Sequence, residues 1–262
     1  MRLSIFYSVN TVVVAATLFV LMIALIILGR RLSKNRVTPD HSKNPGNAAM
    51  TTSLYALLGL LLAFTFGMSG DRFRVRRLNI VEESNAISTA ALRVQLYADS
   101  VQPALRKLFR EYLETRIAYF EAGADTMKIS QSLQRSQDTA DALWLIAASN
   151  SRHPSNFVAS NQMVPALNQM FDTANSRFWS EYNRTPSSIL TMLFLLCLSS
   201  AFVAGHTSVG EGKFDWFMAV GFCLLISIVI YFIIDLDKPR AGIITLEENA
   251  RAISDLRRII NE

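Results

Sequence analysis

Charged residues vanish from four stretches of this chain. Thr11–Gly29, Thr51–Gly70, Ser187–Ala204 and Trp216–Ile234 contain no Asp, Glu, Lys or Arg. Each is about as long as the ~20 residues a helix needs to cross a ~30 Å hydrocarbon layer. They come as two pairs, and the mostly polar stretch Asp71–Pro186 lies between the pairs. The pattern predicts a membrane protein divided into a first transmembrane hairpin (1–70), a helical cytoplasmic domain (71–186), a second hairpin (187–234) and a C-terminal helical tail (235–262).

Helical periodicity continues outside the spans. The second apolar run has no breaker other than Gly70 before Tyr97, so one long helix is expected to run out of the membrane. Ser100 is expected to cap the next helix, with Pro103 in its first turn. There Leu105, Leu108, Phe109, Tyr112, Leu113, Arg116 and Tyr119 share one stripe, and Gly123 closes it. Helices are expected over Thr126–Ala148 and Val158–Asn183, with Pro165 as an internal break or a true start. Pro186 opens the third span. Arg30–Ala49 and His206–Lys213 read as loops. A last helix begins at the capping box Thr245-x-x-Glu248 and carries Leu246, Ala250, Ile253, Leu256 and Ile260 on one face. Strand signals are nearly absent, and the expected fold is all-α.

Composition narrows the class further. The 262 residues are 51% hydrophobic with a net charge of +5, high for a soluble protein yet polar for an all-membrane transporter. Arg30–Arg31 ends the first apolar run like a stop-transfer sequence, and no small-residue cleavage site follows, so a retained anchor is expected. Four crossings put both termini and the central segment on one side. Near the span ends that side gathers Arg2, Arg72, Arg74, Arg76, Arg77, Arg177, Arg184, Lys238 and Arg240, against Arg30, Arg31, Lys34, Arg36, Lys43 and Lys213 opposite. The excess places the termini in the cytoplasm, with the loop Arg30–Ala49 pulling the other way. The two cysteines, Cys197 and Cys223, fall inside spans, which excludes a disulfide framework. No base-stacking motif or Lys/Arg tract points to nucleic acid. His41, His153 and His206 are scattered, so no metal and no cofactor is expected. No nucleophile elbow, zinc-protease or phosphate-loop sequence is present, and no enzyme is expected.

The second span carries the most suggestive spacing. Gly59, Ala63 and Gly67 recur every four residues, a ridge on which helices approach closely. Two apolar rows share that period, Leu60, Phe64 and Met68 in one and Leu58, Leu62 and Phe66 in the other. Around a common axis either row would stack as apolar rings, a device that gates ions by dewetting; equally, either row packs against the chain's own spans. Beyond them come Arg72, Arg74, Arg76 and Arg77, then Glu82, Glu83 and Asn85. These arginines would raise local anion concentration at a pore mouth, or would grip lipid phosphates and pair with the glutamates. Asp235 and Asp237 close the fourth span beside Lys238 and Arg240.

Several of these residues carry a likeness. Gly59-Leu-Leu-Leu-Ala-Phe-Thr-Phe66, Arg72, Arg76–Arg77, Val81-Glu-Glu-Ser-Asn-Ala-Ile-Ser-Thr-Ala90 and Leu92–Arg93 resemble a bacterial bestrophin-like membrane family. So do Leu105–Tyr112, Ala166-Leu-Asn-Gln-Met170 with Asn168, Arg177, Arg184-Thr-Pro186, and Asp235-Leu-Asp-Lys-Pro-Arg-Ala-Gly-Ile243 with Asp235, Asp237 and Pro239. The likeness covers about Ala49–Leu256. It implies kinship with four-span anion channels, homopentameric, with cytoplasmic termini and a pore lined by the second helix through an apolar neck. The chain lacks the dense acidic run of the eukaryotic calcium clasp and the aromatic-rich stretches after the second span, so calcium gating does not carry over.

The reading that results is a homo-oligomeric channel for inorganic ions in the bacterial inner membrane, in contact with lipid. The resemblance implies a pentamer and an anion. Phe64 and Phe66 are the neck candidates, and Arg72 and Arg76 set the charge of the mouth. The rival reading is a non-conducting scaffold or sensor that binds a partner through its cytoplasmic helices.

Overall fold

A computed structural model describes residues 7, 9–34, 45–208, 214–240, 242, 251 and 253–261. Among them there is no strand. The elements are α1 (Thr11–Lys34), α2 (Pro45–Leu92), α3 (Gln102–Glu121), α4 (Thr126–Asn150), α5 (Phe157–Tyr182), α6 (Ser187–Thr207), α7 (Trp216–Leu236) and α8 (Leu256–Asn261). Short 3-10 turns cover Arg93–Leu96 and Pro154–Asn156. The fold is all-α, and four of its helical stretches are long and apolar enough to cross a membrane.

Helix ends follow local chemistry in most places. Asn10 Oδ1 accepts from the Val12 N–H at 2.9 Å at the start of α1. Asp125 accepts from the N–H groups of Met127 and Lys128, and Asp215 from that of Met218, which satisfies donors that the first turn leaves open. Gly123, at φ +53°, ends α3 in the left-handed conformation that glycine adopts without a Cβ penalty.

Several boundaries differ from expectation. Helix α1 runs on through Arg30–Lys34, the first part of the segment read as a loop. Helix α2 begins at Pro45, inside the segment read as a loop, because proline's fixed φ suits a helix start. Val101, not Ser100, is the N-cap of α3, and no side chain caps it. Helix α6 keeps His206 and Thr207 within it. Pro165 lies inside α5 rather than starting or breaking it. Proline has no N–H to offer the Asn161 carbonyl four residues back and crowds that turn; beside it the Arg93 guanidinium donates to the Gln162 carbonyl. Residues 35–44, 209–213 and 243–250, with His41 and the Thr245–Glu248 capping box, lie outside the described residues.

The chain forms two compact units. The first joins residues 1–71 with 184–238, the second 72–183 with 239–262. In the first, α1 packs along α6 and α7. Its core stacks Leu18, Met22 and Ile26 against Leu193, Cys197 and Ala201 of α6 and Ile226 and Ile230 of α7. Here α1 and α6 meet backbone to backbone. A Cβ on Gly205 would strike the Ile26 backbone, and one on Gly29 the Phe202 carbonyl. Both cysteines are free and buried. In the second unit, α3, α4 and α5 close on a core of Leu105, Phe109, Leu113, Leu143, Met163 and Leu167, to which α8 adds Leu256.

Candidate functional site

In the first unit, α2 has one covered face and one uncovered. Leu58 and Leu62 are only 2% and 8% exposed. On the same side Tyr55 Oη donates to the Ser200 carbonyl at 3.4 Å and its ring meets Phe222 edge-on, with centroids 5.8 Å apart. The opposite side stands open, with Leu60 53% and Phe64 63% exposed and Met68 beside them. Gly59, Ala63 and Gly67 lie on this side too, and a Cβ at Gly59 or Gly67 would meet nothing within 4 Å. The two apolar rows therefore part company. Leu60, Phe64 and Met68 stay exposed together, whereas the other row starts in the core and ends at exposed Phe66. A row spaced by four residues drifts by roughly 40° per step on a 3.6-residue helix, which carries Phe66 off the face that holds Leu58 and Leu62.

The last turn of α7 forms a buried polar joint in the same unit. Asp237 Oδ2 accepts from the Thr185 N–H at 2.9 Å, from the Thr185 hydroxyl and from Tyr7 Oη at 3.2 Å. Lys238 Nζ donates to the Val9 carbonyl at 2.6 Å. Burial, and the Arg184 charge, lower the Lys238 pKa. Asp235 is buried and accepts from Tyr231 Oη at 3.3 Å. Pro186 is the N-cap of α6, and Pro239 follows the joint half-buried. This joint ties the start of α6 to the end of α7, which gives the Asp-Leu-Asp-Lys-Pro sequence a structural purpose.

In the second unit the Arg/Glu run of α2 also divides by face. Arg72 is half-buried, while Arg77, Glu82 and Asn85 are exposed. Arg76 is buried, and its Nε donates to the Ser180 carbonyl at 3.0 Å and its Nη2 to that of Asn183. It thereby caps the C-terminal end of α5, where carbonyls lack helical partners.

Glu83 is fully buried, and its two oxygens are divided between two arginines. Arg116 Nε donates to Oε1, and Arg177 Nη1 donates to Oε2 at 2.6 Å. Glu181 accepts from Arg240 Nε at 2.7 Å and from Tyr119 Oη at 3.1 Å. The guanidinium carbons of Arg240, Arg116 and Arg177 lie 4.3, 4.9 and 5.4 Å from the centre of the Tyr119 ring, within cation–π range. Three arginines against two glutamates leave one positive charge in excess. Burial by itself raises the Glu83 carboxyl; the Arg116 and Arg177 charges outweigh it and hold it below its usual value. Burial pushes the phenols of Tyr112 and Tyr119 up to about 12, so both are neutral at neutral pH. Arg116 Nη2 is buried without a hydrogen-bond partner, a condition that costs about 1–3 kcal/mol for a polar group.

This cluster is only partly legible in the sequence. Spacing groups Glu83 with the arginines of its own helix, and Arg177 figures only among the basic residues near the span ends and in the family resemblance. Arg240 figures at the end of the fourth span and in the same resemblance, and nothing in the spacing singles out Glu181. The available signal was Arg116 itself, a charge on an otherwise apolar stripe, since a buried arginine calls for a buried partner. Asn168 stands exposed on the wall of a cleft beside the cluster. Among the described residues no group of His, Cys, Asp or Glu is arranged to hold a metal ion.

A family model described as the Bestrophin-like domain matches residues 11–250. It extends the likeness seen over Ala49–Leu256 to include the first span. No curated protein and no solved structure matches the chain.

Proposed function

Because the chain belongs to the bestrophin-like domain family, we propose that this membrane protein forms a homo-oligomeric ion channel, anion-conducting, with its pore lined by α2. The observation that carries the proposal is the uncovered side of α2, where Leu60, Phe64 and Met68 remain exposed while the opposite side is packed. In a ring of subunits these side chains stack as an apolar neck. Phe64 is the strongest neck candidate, with Phe66 at its flank. Arg72 and Arg77 set the charge at the mouth, joined by exposed Glu82, while Arg76 and Glu83 hold the neighbouring helices in place. The basic excess near the span ends supports cytoplasmic termini in the inner membrane.

The ridge of Gly59, Ala63 and Gly67 on the same open side favours a second reading, a non-conducting scaffold in which α2 only assembles the subunits. One experiment separates the two. The purified protein is placed in planar bilayers under a potassium chloride gradient, with Phe64→Ala and Phe66→Ala variants beside it. A channel gives unitary currents whose reversal potential lies on the chloride side, and widening a dewetted neck with Phe64→Ala raises them about twofold or more. Currents unchanged in both variants remove the neck assignment, and silent bilayers from confirmed oligomers leave the scaffold.

A further inference from the structure

We propose that the cleft between α3, α4 and α5 binds a small organic monocarboxylate with an apolar, aromatic body. The cleft measures about 850 Å³, within the ~300–1,000 Å³ of small-molecule sites. Its walls combine Trp144, Phe171 and Phe178 with the uncharged polar groups of Ser136, Gln137 and Asn168, and Tyr112 and Arg116 also line it. This is the mix such sites use, an apolar enclosure with a few convergent polar groups.

Arg116 supplies the charge recognition. Its residue is 2% exposed, its Nε is engaged by Glu83, and its Nη2 is unpartnered. The free Nη2 offers a carboxylate oxygen a charge-assisted N–H donor. The ion cluster around it holds one positive charge more than it neutralises, and a monoanion balances that charge. A doubly charged, strongly hydrated phosphate gains nothing from the aromatic walls. The acidic group in the lining, Asp141, is exposed and accepts from Gln137 Nε2 at 2.9 Å. It sits ~7.5 Å further along α4 than Ser136, where solvent screens it. The tyrosine in contact with Arg116's helix turn, Tyr112, is neutral and adds no charge. The proposal stands whether or not the protein conducts.

The test is calorimetric titration of the detergent-solubilised full chain with sodium benzoate, beside benzyl alcohol and sodium phosphate, with tryptophan fluorescence as a second readout through Trp144. Benzoate is expected to saturate at one site per chain and to bind at least about tenfold more tightly than benzyl alcohol, a difference of about 1.4 kcal/mol. Ala174→Phe fills the cleft from a wall position outside the ion cluster and is expected to abolish the signal. Arg116→Lys, which keeps the charge and removes the free Nη2, is expected to weaken it. If Arg116→Lys fails to fold, the wild-type comparison and Ala174→Phe still decide the matter. No saturable binding, equal affinity for benzyl alcohol, effective competition by phosphate, or unchanged affinity in Ala174→Phe each overturns the proposal.

Discussion

Two helices of this protein carry the same small-residue signature and meet different fates. In α6, Cys197, Ala201 and Gly205 recur every four residues, and all three are buried. There α1 presses so close that Gly205 leaves no room for a side chain. In α2, Gly59, Ala63 and Gly67 show the same period and stand uncovered. The first ridge has its partner inside the chain, and the second is left for something outside it. A small-xxx-small pattern thus signals an approach without naming the partner. The second unit repeats the lesson with two adjacent glutamates, since Glu83 is locked between Arg116 and Arg177 while Glu82 is exposed.

The largest expected effect comes from the glutamates. Removing one partner of a buried ion pair leaves uncompensated charge and costs about 3–5 kcal/mol. Glu83→Ala is therefore expected to abolish or severely lower the thermal unfolding midpoint in detergent, and Glu82→Ala to stay within about 0.5 kcal/mol of wild type, as exposed substitutions do. Equal effects at the two positions would dissolve the contrast.

The ridges come next. Gly205→Leu forces a side chain into the Ile26 backbone and is expected to destabilise the chain by about 3 kcal/mol, the upper end of overpacking costs. Gly67→Leu meets open space. It is expected to leave folding intact and to disrupt assembly, read by light scattering on the purified protein. An intact oligomer in Gly67→Leu would show that the open ridge is not an assembly surface.

Acid sharpens the comparison with a smaller effect. Glu83 is held below its usual pKa in the folded state, so its ionised form contributes stability that is complete above the unfolded value of about 4.3 and fades as pH falls through the lower folded value. Unfolding midpoints measured from pH 6 down to 3 are expected to fall steeply for wild type. In Glu83→Gln the midpoint starts lower and the slope is shallower.

These same residues mark how far the sequence leads. Four charge-free runs of bilayer length determined four apolar helices, because backbone polar groups in hydrocarbon have to be paired within a helix. Local chemistry placed the caps at Asp125 and Asp215 and the left-handed stop at Gly123. Where a signal depends on partners, it fell short. Ser100 lost the cap of α3 to Val101, and Pro165 stayed inside α5 although it lacks the helical donor. Spacing put Arg76 and Glu83 on one side of α2, but only the packed helices sent Arg76 to the end of α5 and Glu83 to Arg116 and Arg177. The same holds for the two ridges, identical in spacing and opposite in cover. Periodicity is a property of one helix and is written in its own residues. Which side becomes buried, and which charge neutralises which, depends on groups far apart in the chain, so only the tertiary structure decided them.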